Sequence, residues 1–432
     1  MPLIPQKQSD SSGTSLPTPE RAPSYATAKR KWIPDFIARL IFGKPLAPTP
    51  EEWKEVVEAL WEGDPEMDRL VEWMFADKPS KAKALFEQAL LHGIETVEDP
   101  PAPLKDFFDH VDQDPEWLDR SLLDDGARAA QLAGMAGFYV MRDMALMGGY
   151  VYFNAMNQTL AATGALSRDV RLRLGETGKW VADVTTVQGL NRFSPGFLTT
   201  IRVRMVHALV RRSVRLKPSW DANMWGLPIN QIDMLATYLA FGPVAIMGAR
   251  LFGVPVTKRD AAASMHMWRY IGWLMGVQQK WLALTEGDGL RKLYHAYLTH
   301  RRPDDKVRQF GIALRDEPLK GRFPWLNGHP LLLKLWRRYT YHKHIANSAL
   351  ILGPLQRYRL GMPMFAVPWY PILSAPFRFL RLAWYRLRGG KPYQQLLERS
   401  VQTQHQLLAS YFENGEVDII RPTAEHPAHV GG

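Results

Sequence analysis

His207 is the residue best placed to hold a metal-bearing group. It stands in Arg202-Val-Arg204-Met-Val-His207-Ala-Leu-Val-Arg211-Arg212, with Val203 and Val210 beside it at helical spacing. A neutral imidazole in apolar surroundings can bind haem iron through one ring nitrogen while an acceptor holds the other. Arg204 and Arg211 flank it and are candidate partners for haem propionates. The alternative is a histidine satisfied within a helical core.

A second constellation lies upstream. A helix from Ser167 to Val184, with Ser167 as its N-cap and Asp169 in its first turn, places Val170, Arg173, Leu174, Thr177, Val181 and Val184 on one face. An arginine and a threonine therefore share an otherwise apolar surface, where a guanidinium is costly unless paired. Gly175 and Gly178 each cost this helix about 1 kcal/mol relative to alanine, which implies a close approach to its backbone. A helix–helix contact, with Arg173 reaching a surface carboxylate, is the competing account.

Other chemistries are excluded. The chain has no cysteine, so disulfides, zinc–thiolate sites, cysteine-ligated clusters and covalent c-type haem attachment are ruled out. Gly175-Glu-Thr-Gly178-Lys179-Trp180 has the wrong glycine spacing for a phosphate loop and a tryptophan where Ser or Thr must hold magnesium. No nucleophile-elbow or His-Glu-x-x-His motif occurs. His342 and His344 are two apart and point to different sides of a helix.

The elements that must position these residues read as helices. Thr49–Glu62 is an acidic amphipathic helix with Pro50 at its start. Residues 97–116, rich in Pro and Asp, predict a loop. Between Arg128 and Arg168 only Arg142 and Asp143 are charged, so one or two deeply buried helices are expected, with methionines as core filler. Leu198–Val214 is a basic helix, 218–228 a loop, and 230–252, 259–285 and 287–300 are helical. Sixteen uncharged residues from Met234 to Ala249 fall short of the roughly 20 needed to span a bilayer and are interrupted by Gly242-Pro243. Sustained strand alternation is absent, and the class is all-α.

Charge is uneven. The net +11 is concentrated between Pro318 and Leu397, which hold thirteen Lys and Arg and no Asp or Glu. Within that window Leu360–Pro376 carries four prolines and is not expected to be a regular helix. Trp369, Tyr370, Phe377, Phe379 and Trp384 alternate with arginines, which suits a lipid surface. Packing against the acidic amino-terminal region is the alternative, and nucleic-acid binding ranks lower because no fold motif supports it.

The order Arg173-x-x-Glu176-Thr177, His207 in a helix ending His-Ala-x-x-Arg-Arg, Trp225-Gly-Leu-Pro228-Ile-Asn230-Gln231-x-Asp233, and Trp268 with Gly272 and Gly276 resembles the latex-clearing protein and MpaB-type oxygenase family across residues 125–285. The resemblance implies a globin-like helical core with additional helices and one non-covalent haem b, His207 as proximal iron ligand, and Arg173 and Thr177 in the distal pocket. It also implies dioxygen as co-substrate and an apolar, unsaturated isoprenoid or lipid-like substrate. The rubber-cleaving members carry a lysine where this chain has Glu176, and they are exported, whereas no export signal is read here. Natural rubber is therefore not the expected substrate, and Glu176 is a candidate for proton transfer. A haem-binding or membrane-associated helical protein without enzymatic activity is the alternative.

The expected organisation is a disordered leader over 1–31, a single all-α domain over 32–413 including the basic, proline-containing region 318–397, and a tail over 414–432. A cytoplasmic location, with peripheral membrane contact through the basic region, is expected.

Overall fold

The computed structural model describes residues 17–30, 35–76, 79–164, 170–300 and 303–412, and among them there are helices and no strands. Ser167, Asp169 and the tail from 414 lie outside the described residues. Helix α1 (Pro50–Ala59) is opened by a capping box in which the Thr49 side chain and Glu52 satisfy each other's backbone amides. Helix α2 (Pro65–Ala76) has Glu66 and Asp68 in its first turn.

Helix α3 (Ala102–Val111) corrects the expectation of a loop over 97–116. Pro101 precedes it and Pro103 sits in its first turn, where the missing N–H has no helical partner to lose. Leu104, Phe107, Phe108 and Val111 form its buried stripe. Helix α4 (Arg120–Tyr139) runs into a π-helical segment at Val140–Leu146 and two short helices, Met147–Tyr152 and Asn154–Ala162.

Helices α5 (Val170–Val184) and α6 (Pro195–Arg215) pack side by side, with Trp180 Nε1 donating to Thr200 Oγ1 at 3.0 Å. Helix α7 (Gln231–Leu239) is capped by Asn230, whose side chain accepts from the amides of Ile232 and Asp233. Pro243 removes one helical donor, and the chain answers with a second π segment, Ala240–Val244, before α8 (Ala245–Leu251).

Helix α9 (Lys258–Leu274) is shorter than the helical stretch read over 259–285, because Gly276 at φ +84° ends it. Any Cβ on Gly276 would sit 2.2 Å from Asp64 Oδ2. Helix α10 (Pro330–Ala349) has a buried carboxy-terminal half.

Helix α11 (Trp369–Arg388) overturns the proline argument for 369–376, whereas 360–368 is irregular as expected. Pro368 stands at its N-cap and Pro371 in its first turn, so only Pro376 removes a helical donor. Helix α12 (Gly390–Ala409) closes the described chain and lies along α4, where Ser400 Oγ donates to Gln131 O at 2.6 Å.

The reading of 1–31 as a disordered leader fails for residues 17–30. Arg21 is buried, with Nη2 2.7 Å from Asp233 Oδ1 and Nε donating to Thr299 O at 3.1 Å, and Trp61 Nε1 donates to Pro17 O at 2.8 Å. A composition rich in Ser and Pro does not reveal one specific buried ion pair.

Candidate functional site: a helix-walled apolar cavity

A cavity of about 1360 Å³ lies between α4 with its π extension, α5, α6, α7 with its π extension, α8, α9 and α12. Its walls are predominantly apolar; Phe138, Trp180, Phe241 and Trp268 are among them. Phe241 and Trp268 stack at 5.0 Å between ring centroids, and Trp180 meets both edge-on. Sites for one drug-sized molecule span roughly 300–1,000 Å³, so this cavity has room for more than one such occupant.

His207 lines the cavity from α6. Burial, reinforced by the charge of Arg211, pushes its pKa down to about 4, so the ring is neutral at pH 7. Its Nδ1 is buried without a hydrogen-bond partner, and the acceptor expected to hold the second nitrogen is missing among the described residues. An unsatisfied buried nitrogen costs about 1–3 kcal/mol. A neutral imidazole without a hydrogen-bond partner at Nδ1, in an apolar chamber of this size, fits a residue that would hold a haem.

Arg173, Glu176 and Thr177 all line the same cavity from α5. Arg173 lies over the Phe310 ring at 5.9 Å and close to the Tyr150 hydroxyl, whose pKa burial raises and the guanidinium draws back. It has no carboxylate partner among the described residues, so the competing surface ion pair is not made. The close approach implied by Gly175 and Gly178 is real, and its source is residues 408–412. A Cβ on Gly178 would fall 2.6 Å from Leu408 Cδ2, and one on Gly175 2.9 Å from Phe412 Cζ.

Arg204 and Arg211 do not serve the cavity, which corrects their assignment as propionate partners. Arg204 is buried on the other side of α6, with Nε 2.6 Å from Asp64 Oδ2 and Nη2 2.8 Å from Glu66 Oε2. Arg211 Nη1 is 2.5 Å from Asp68 Oδ1, and its Nε donates to Ile229 O at 3.2 Å. Their side chains reach Asp64 and the first-turn acids of α2, and neither lines the cavity.

A buried polar network escaped the sequence. Asp143, on the first π segment, accepts from Arg142 Nη1 at 2.6 Å and Asn347 Nδ2 at 2.8 Å, and lies 2.7 Å from His344 Nδ1. Burial would raise its pKa, but His344 and Arg142 hold it below the usual carboxylate range. Arg142 also reaches Glu317 at 3.2 Å, and Arg171 meets the same carboxylate at 3.1 Å. The available signal was Arg142-Asp143 itself, the lone charges of a long apolar stretch. His344 is thus a partner of Asp143, and no group of three or more metal-ligating side chains occurs among the described residues.

The fold and the site together define an all-helical protein with a large apolar chamber carrying one neutral histidine. Residues 137–384 match the family model described as ER-bound oxygenase mpaB/B'/rubber oxygenase, catalytic domain, and the chain belongs to that family. The match reaches about a hundred residues beyond the 125–285 over which the motifs were read. The rubber oxygenase of Streptomyces sp. (strain K30) is 26% identical over 202 residues, which are 46% of this chain and 47% of that protein. The chain thus spans about half the length of this curated relative. A solved structure of latex clearing protein LCP in the closed state superposes with a TM-score of 0.54 at 18% identity, over 82% of this chain and 92% of that one, a likeness of fold.

Proposed function

We propose that this chain is a haem b-dependent oxygenase that uses dioxygen to oxidise or cleave an apolar, unsaturated, isoprenoid- or lipid-like substrate. The observation that carries the reading is His207: neutral, unpartnered at Nδ1, and set in the wall of a large apolar cavity that also holds Arg173, Glu176 and Thr177. A bound haem, which His207 would hold, would supply the iron that activates dioxygen.

The chain's own residues supply the rest. The Arg173 guanidinium and the Thr177 hydroxyl bring hydrogen-bond donors to the cavity wall, where low polarity strengthens them towards developing negative charge. Of the two guanidinium groups on the lining, Arg142 is occupied by Asp143 and Glu317. That leaves Arg173 to meet an anionic group in the chamber. The Glu176 carboxylate provides a site to hold or pass a proton. The aromatic and aliphatic walls exclude water and accept an apolar chain.

An absorption spectrum after haem reconstitution tests the reading. The wild-type protein is expected to show a Soret band and His207→Ala to lose or strongly shift it; a wild type without the band refutes the proposal. Oxygen uptake with unsaturated isoprenoids then separates an enzyme from a haem carrier. Arg173→Ala is expected to lower kcat/KM about 10²–10³-fold, the usual effect of removing one such donor.

A further inference from the structure

Helix α11 is amphipathic in the inverted sense: its apolar stripe faces outwards. Leu373, Phe377, Leu380, Trp384 and Leu387 recur at three- and four-residue steps and so share one face. They are 47 to 88% exposed. Scattered exposed apolar residues need no explanation, but a continuous stripe does.

The opposite face ties the helix down. Arg378 donates to Phe252 O, Arg386 Nη1 meets Asp260 Oδ2 at 2.6 Å, and the backbone of Ala375 lies against Gly253. Two of the four arginines are therefore structural. Arg381 and Arg388 are exposed and flank the stripe.

The surface continues onto the amino-terminal half of α10. Leu331, Leu332, Leu335, Trp336 and Tyr339 are exposed there, with Lys334 and Arg338 among them. Tyr339 and Trp369 join the two helices at 6.2 Å between ring centroids. The other half of α10 is buried and holds His344 against Asp143, whose neighbours Arg142 and Met144 line the cavity. The patch is thus fixed to the frame of the cavity.

We infer that the outer faces of α10 and α11 dock this protein on an anionic lipid bilayer, with the apolar stripe in the interface and Arg381, Arg388, Lys334 and Arg338 against headgroups. Three observations select this occupant. The stripe is rich in Leu, Phe and Trp, as interfacial helices are. The whole window from Pro318 to Leu397 contains no acid, so it repels no anionic surface at any point. A second copy of the chain meeting it face to face would oppose like charges across a symmetric interface. The inference needs neither haem nor substrate, so it stands or falls apart from the oxygenase reading.

Co-sedimentation of the full chain with vesicles tests it, comparing phosphatidylcholine alone with phosphatidylcholine carrying roughly 30% phosphatidylserine. The wild type is expected to pellet with the anionic vesicles only, and less so as salt rises. Arg381→Gln with Arg388→Gln should weaken binding about 30-fold, the factor for two basic side chains at the surface. Phe377→Ser with Leu380→Ser should weaken it at least about tenfold. Circular dichroism checks that these exposed substitutions leave the helices intact. Quenching of wild-type tryptophan fluorescence by bromine-labelled acyl chains requires no variant. The inference is overturned if the wild type stays in the supernatant, if both double variants bind as it does, or if bromine-labelled lipid leaves the fluorescence unchanged. It is equally overturned if the wild type binds oligonucleotide in place of vesicles, or if the variants change the mass of the free chain and so mark a second copy as the occupant.

Discussion

Helices α6 and α11 are both rich in arginine, yet they hold their charges in opposite ways. On α6, Arg202 meets Glu87 at 2.7 Å, Arg204 meets Asp64, Arg211 meets Asp68, and Arg212 and Arg215 share Glu72. On α11, Arg386 alone finds a carboxylate among the described residues, and Arg388 lies over its own neighbour Trp384 at 4.4 Å. A basic helix is therefore defined by the acids that the rest of the fold brings to it. Asp64, Glu66, Asp68, Glu72 and Glu87 all meet α6, while Glu52 meets Arg291 and Glu62 meets Lys280, so these acids are held away from the basic last third. That is why packing of the last third against the acidic amino-terminal region does not account for its charge.

The contrast breaks most visibly at Asp64. Asp64→Ala strands the buried Arg204 guanidinium and should cost about 3–5 kcal/mol of stability, whereas Arg381→Ala should stay within about 0.5 kcal/mol. Urea denaturation of the two variants decides it, and equal costs would dissolve the distinction between the helices.

Acid sharpens it next. Burial, with the charge of Arg291 added, pushes the pKa of His295 down to about 4. The folded state keeps this ring neutral, while the unfolded chain protonates it near 6.5. Its contribution is complete above about pH 6.5 and drains by roughly 3 kcal/mol as pH falls towards 4. His295→Gln should flatten that slope in a denaturation series. Helix α11 holds no His, Asp or Glu and contributes nothing in this window.

A smaller break lies at the seam between α5 and α12. Gly178→Val forces a side chain into Leu408 and should cost about 1–3 kcal/mol by overpacking; adding Leu408→Ala should return part of it in a double-mutant cycle. Smallest of all, Leu387→Ser on the exposed stripe should shift the urea midpoint by the equivalent of less than about 0.5 kcal/mol.

Much of this was legible in the sequence where periodicity carried it. Val170, Arg173, Leu174, Thr177 and Val181 share one face as their spacing required; that this face meets His207 across a cavity was implied by the family resemblance and not by periodicity, and Val184 lies outside the lining. The Pro50 helix start follows from proline's tolerance at the first turn, whereas the helix read from Leu198 begins three residues earlier, at Pro195. Proline and aspartate content misled at α3 and α11, because what matters is where in the turn each proline falls. The partners of Arg204 and Arg211 were hidden for a different reason. Sequence placed them beside His207 along the chain, whereas their long side chains turn away towards acids about 140 positions earlier. Pairings at that separation leave no local pattern.

The cavity wall at α5 is completed by the last described helix: Gln404, Leu407 and Leu408 line it, and Arg171 donates to Ser410 O across 239 residues of sequence. At synthesis rates of about 5–20 residues per second, α5 leaves the ribosome roughly 10–50 s before the segment that seals it. The nascent chain therefore passes through an interval in which the chamber stands open along one side.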